Sequence, residues 1–162
     1  MERLWRDWRM AYIESARGLD EECIFCELPE REPEEAFVLR RTSEAFVLMN
    51  LYPYNPGHLL VAPLRHTGSL EDLGAEEMRQ AGELMQMSVK VLQEVLSPDG
   101  FNVGMNLGRV AGAGYPGHLH WHIVPRWAGD ANYMPIVGET RVLPELVGAT
   151  FEKLRRGFRV DR

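Results

Sequence analysis

The sequence predicts an α+β domain: a five-stranded, mainly antiparallel sheet with one long helix packed on it, plus amino- and carboxy-terminal helices. Two observations carry this reading. Short apolar runs bounded by turn residues mark strands, whereas residues 69–96 repeat their apolar side chains at helical spacing. Strands and helices also lack the regular alternation that a parallel sheet demands. No repeat, low-complexity tract or linker divides the chain. Residues 1–162 therefore read as a single domain, with 1–19 as a helical extension and 140–162 as a helical tail.

The elements follow in order. Residues 1–16 form an amphipathic pattern, with Leu4, Trp8, Ala11 and Tyr12 near one stripe and Gly18 as the stop. An acidic stretch from 20 to 35, carrying two prolines, reads as a loop around a cysteine pair. Ala36–Arg40 and Ala45–Met49 are predicted strands joined by Thr42-Ser43-Glu44. Asn50 to Gly57 is a turn-rich loop, and His58–Pro63 is a third strand, apolar enough to be central. Ser69 and Asp72 make a capping box for a helix to about Leu96. Its stripe of Met78, Ala81, Met85, Val89, Leu92 and Leu96 is predicted to pack the core. Pro98-Asp99-Gly100 stops it, Phe101–Leu107 and His118–Pro125 are strands four and five, and Pro144–Arg156 is a last helix.

Composition excludes some function classes. The 162-residue chain is 45% hydrophobic and 26% charged, which suits a soluble globular protein with a core of its own. A net charge of −6 argues against non-specific nucleic-acid binding, although Arg65, Arg109 and Arg126 remain available for a local anion site. The start, MERLWRDWRM, has no apolar signal region, and no stretch approaches a membrane span. The expected location is the cytoplasm.

The chemistry concentrates in Pro116-Gly117-His118-Leu119-His120-Trp121-His122-Ile123-Val124-Pro125-Arg126. In an extended strand His118, His120 and His122 share one face, and Leu119, Trp121 and Ile123 share the other. Three clustered imidazoles that titrate near neutral pH point to catalysis or metal binding. Cys23-Ile24-Phe25-Cys26 holds the only two cysteines, too few for a disulfide scaffold and outside the βαβ setting of a redox pair. Half a zinc site is the better reading. Gly112-Ala113-Gly114-Tyr115-Pro116-Gly117 matches a dinucleotide fingerprint in letters only, because it precedes a strand and contains proline. It reads as a tight loop whose amides contact a phosphate. Trp121 and Trp127 read as core or interface anchors, Trp127 being the better substrate candidate.

The run His118-Leu119-His120-Trp121-His122-Ile123-Val124 resembles the signature of the histidine triad (HIT) family. Met49-Asn50 with Pro56–Pro63 resembles its nucleoside-binding region. The cysteine pair and the run from His118 to Asn132 resemble a bacterial branch that includes diadenosine tetraphosphate phosphorylases. The resemblance implies a homodimer with two sheets side by side. It implies His120 as the nucleophile on a nucleotide α-phosphate, giving a nucleotidyl-histidine that water or inorganic phosphate resolves. His122 would bond a phosphate oxygen, His58 would set ring orientation, Asn50 would contact the ribose and Asn106 the scissile phosphate. Many members carry Gln-Ser or Gln-Thr before the triad. Here Gly114-Tyr115 stands instead, which leaves backbone amides and the Tyr115 hydroxyl as donors. The resemblance also implies a structural zinc on Cys23, Cys26, His66 and His118, so that the first triad histidine is structural.

Two other classes compete with a nucleotide hydrolase or transferase of this kind. One is a zinc hydrolase whose triad holds a catalytic metal. The other is a non-catalytic nucleotide-binding scaffold, for which a nucleophile is superfluous.

Overall fold

A computed structural model describes residues 23–130 and 145–158. The predicted amino-terminal helix, and Asn132 and Tyr133, lie outside the described residues. The acidic stretch after the cysteines is more ordered than a loop. It contains α1 (Ile24–Glu27), a 3-10 turn over Leu28–Glu30, and α2 (Pro33–Ala36). Proline at the start of each of the last two fixes the backbone angle a first turn needs. Ala36 therefore closes α2 rather than opening a strand, and β1 runs Val38–Arg41.

The sheet adds β2 (Ala45–Met49), β3 (Leu59–Pro63), β4 (Gly100–Met105) and β5 (Trp121–Arg126) in the order β1-β2-β3-β5-β4, every neighbouring pair antiparallel. Every residue of β2 and β3 is buried, so both sheet faces are covered. On one face Val47, Met49, Leu59, Val61, Trp121 and Ile123 pack under α3 (Ala75–Leu96) and α4 (Val147–Phe158). On the other face Phe46, Leu48, Leu60 and Ala62 meet Phe25, Ala36 and Val38. Trp121 is thus a core residue, as expected.

The long helix begins later than the sequence pattern predicts. Ser69 makes no side-chain cap; Leu70–Asp72 is a separate 3-10 turn, and Gly74 is the residue before the first helical turn. Glu77 supplies the stronger signal, accepting the Gly74 N–H at 2.7 Å and both Arg65 guanidinium donors at 2.9 Å. Of the predicted stripe, Ala81 and Leu92 are buried and Met85, Val89 and Leu96 pack against the core, while Met78 falls outside it. Glu77, Gln80, Ala81, Leu84, Ser88, Val91 and Leu92 face inward, while Met78 is 41% exposed. Gln80 tolerates burial because its amide bonds Ser43 and the Glu44 N–H.

Arg65 and the Gly74 amide hold the Glu77 carboxyl below its usual value near 4.5. A carboxylate lowered in the folded state stabilises fully above the unfolded value, and that stabilisation is lost as pH falls through the folded value. Glu77→Gln should therefore be less stable than the parent chain at neutral pH. Denaturant melts should show the gap closing only below about pH 4.

Candidate active site and metal cluster

The three histidines do not share one strand. Only His122 lies in β5; His118 and His120 precede it. The cause is Pro63 at the end of β3. Val61 pairs with Trp121, and the next inward register would need a backbone N–H that proline lacks. The chain stays extended by other bonds: the Leu119 N–H donates to the Thr67 carbonyl at 2.7 Å. His122 pairs with Leu60 on β3 and Gly104 on β4, which places it on the sheet face away from α3. At Gly104 an added Cβ would meet nothing within 4 Å, so the flank of His122 is left open.

Each ring nitrogen has an assignable role. His118 is buried and donates its Nε2–H to the Pro63 carbonyl at 2.8 Å, which turns the Nδ1 lone pair towards Cys23 Sγ at 3.4 Å and Cys26 Sγ at 3.6 Å. His120 donates its Nδ1–H to the His118 carbonyl at 2.9 Å, leaving Nε2 with the lone pair. Burial pushes His118 down to about 4 and lowers His120, so both rings are neutral near pH 7. A third orientation comes from the Tyr52-Pro53-Tyr54 turn. The Tyr54 N–H donates to His58 Nδ1 at 3.1 Å, and the Asn50 amide approaches the same nitrogen at 3.3 Å. His58 Nε2–H then donates to His122 Nδ1 at 3.0 Å, which fixes His122 as the Nε2–H tautomer. The His120 and His122 rings stand 5.1 Å apart.

The other expected site residues are placed as follows. Asn50 spends its oxygen on the Tyr52 N–H at 2.9 Å, so it shapes the turn as well as reaching His58. Asn106 donates to the Gly112 carbonyl at 3.4 Å and ties the loop after β4. Tyr115 packs edge-on against Phe25, and burial raises its phenol, which keeps the hydroxyl protonated. Gly114 is half-buried in the same loop. Trp127 is half-buried beyond β5, where its N–H bonds Asp130. Two of the three arginines considered as an anion site are committed instead to carboxylates, Arg65 to Glu77 and Arg126 to Asp130.

Two contributors escaped the sequence reading. Phe25 stacks on the His120 ring, and the Tyr54 ring stacks on His58 at 4.9 Å. Tyr54 acts through a backbone N–H, for which side-chain chemistry gives no signal. Phe25 sits in a charged stretch, and its one clue was an aromatic between two cysteines.

The structure brings together the four residues expected to hold a metal. Cys23, Cys26, His66 and His118 place their ligand atoms within 4.8 Å of one another, and His66 Nδ1 is 3.3 Å from Cys26 Sγ. Ligands around a tetrahedral zinc lie ~3.3–3.8 Å apart, given bond lengths near 2.0–2.3 Å. The His118 bond to Pro63 is the outer support that metal-bound imidazoles ordinarily have. Withdrawal from water, and then the Cys23 sulfur, push the Cys26 thiol up to about 11, so metal binding must displace its proton.

The family model described as HIT domain matches residues 31–129, beginning after the cysteines. The AP-4-A phosphorylase of Mycobacterium tuberculosis is 41% identical over 157 residues, covering 93% of this chain and 80% of that protein. An asymmetrical bis(5'-nucleosyl)-tetraphosphatase of Schizosaccharomyces pombe is 36% identical over 96 residues, 59% of this chain and 51% of that one. A Zn-bound histidine triad family protein from Mycobacterium smegmatis superposes with a TM-score of 0.67 at 26% identity, covering 85% of this chain and 93% of that one. With the triad, its supporting histidine and the antiparallel sheet in place, this chain belongs to the HIT domain family.

Proposed function

We propose that this protein cleaves a dinucleoside polyphosphate, with diadenosine tetraphosphate as the first substrate to test, through a covalent intermediate on His120. The observation that carries the reading is the pair of fixed tautomers. His120 Nδ1 is committed to the His118 carbonyl, which leaves the lone pair on Nε2 for attack, while His58 fixes His122 as the Nε2–H tautomer. Attack forms a P–N bond to the α-phosphorus and breaks the bridging P–O bond, whose electron pair leaves on the oxygen of the departing ATP. His122 donates to a phosphate oxygen as charge develops there, and Asn106 and the amides of the 112–117 loop line the same path. An incoming oxygen then displaces Nε2, and the electron pair returns to the ring.

The acceptor is inorganic phosphate on this reading, supported by the 41% identical relative named a phosphorylase. Cys23, Cys26, His66 and His118 would hold a zinc ion, which would supply cross-linking and no reacting group. With one triad histidine so engaged, a catalytic triad-bound metal has no support. We extend the proposal to a homodimer joined along β4, an edge strand whose Val103 is 51% exposed, with Leu107 and Val110 exposed beyond it. Among the described residues no helix is long and apolar enough to cross a membrane. Product analysis tests the function. Diadenosine tetraphosphate with inorganic phosphate should give ADP and ATP together. Absence of turnover on any dinucleoside polyphosphate, with or without phosphate, would overturn the reading.

A further inference from the structure

Two short connections join the metal cluster to the attacking histidine. One is the His118 backbone, whose side chain faces the sulfurs while its carbonyl accepts the His120 Nδ1–H. The other is Phe25. Its ring is 2% exposed, lies parallel to the His120 ring at 4.8 Å and 21°, and leans on His118 at 5.2 Å. The hydrogen bond fixes which nitrogen carries the proton, but one bond leaves the ring plane free to tilt about it. The Phe25 face removes that freedom. Phe25 itself sits on α1, a four-residue helix too short to persist alone. Cys23 precedes that helix and Cys26 lies within it, so the two sulfurs bracket the aromatic ring.

We propose that Phe25 is a positioning residue for His120, held against its ring by closure of the Cys23/Cys26/His66/His118 cluster, so that metal occupancy sets the readiness of the nucleophile. The inference rests on His120 being the attacking group, as argued above. A merely structural phenylalanine would also be buried here, but its loss would not change the state of one neighbouring imidazole.

The test uses the full zinc-loaded chain as wild type, Phe25→Leu and Phe25→Tyr, read by side-chain nitrogen NMR and by kinetics on diadenosine tetraphosphate. In wild type His120 should be a single Nδ1–H tautomer. Phe25→Leu should keep its zinc, its dispersed sheet amides and the His120 Nδ1–H tautomer, yet show the His120 ring resonances broadened or split by reorientation of the ring plane. Its kcat should fall by about tenfold or more with a smaller change in KM, the scale of a misplaced reacting group. Phe25→Tyr keeps the aromatic face and should restore both readouts. Chelated wild type should reproduce the His120 signature of Phe25→Leu. If Phe25→Leu does not fold, Phe25→Met fills the same volume without an aromatic face and replaces it. His120 resonances that superimpose in wild type, the leucine (or methionine) variant and chelated protein would overturn the inference, even if wild type forms its nucleotidyl adduct normally. A wild type without an adduct would instead remove the catalytic reading, and the same resonances would still decide whether Phe25 and the metal set the ring.

Discussion

His120→Ala is expected to lower turnover by roughly 10⁴-fold or more, the scale seen when a covalent nucleophile is removed. The loss should fall on kcat, because the His58–His122 pair and the 112–117 loop proposed to receive the phosphates remain intact. Its zinc content should match that of wild type, since His120 points its Nδ1–H at a carbonyl and not at the sulfurs. His118→Ala should behave oppositely: the metal is lost first, and activity falls with it. Parallel metal analysis and steady-state kinetics on the two variants check this division. Equal retention of zinc and equal loss of activity in both would show that the triad does not divide its labour.

Removing the metal should be the largest single perturbation of stability. Cys26 and His118 are 92 residues apart in sequence, and closing a loop of that size stabilises by up to roughly 4–5 kcal/mol in a chain-entropy account. At ~2–4 °C per kcal/mol for a chain of this length, chelation or Cys26→Ser should lower the melting temperature by about 10 °C. The sheet carries its own two-faced core and should remain folded below that temperature, unlike a small zinc finger. Thermal melts with and without chelator check the effect. An unchanged melting temperature after verified metal loss would mean that the cluster cross-links nothing.

The fold was legible where apolar spacing is strong. β2 and β3 have near-continuous buried runs, and β2 sits where the sequence places it. The boundaries that moved did so for local reasons. Pro63 shortened β5 from its histidine end, and Glu77, held by Arg65, displaced the start of the long helix from Ser69 to Gly74. The ligand set Cys23, Cys26, His66 and His118 was legible only through family resemblance, because His66 and His118 lie far from the cysteines in sequence. Phe25 and Tyr54 were not legible. One acts by ring stacking across the fold and the other by a backbone N–H, and neither leaves a motif.

The proposed mechanism turns on the covalent bond to His120. Its most direct test is rapid quench of the enzyme with diadenosine tetraphosphate without added phosphate, kept out of acid so that the P–N bond survives, followed by intact mass measurement and peptide mapping. One nucleotidyl group per chain is expected, on His120, and it should disappear when phosphate is added. A label mapped to another residue, or full turnover by His120→Ala with no label at all, would contradict it.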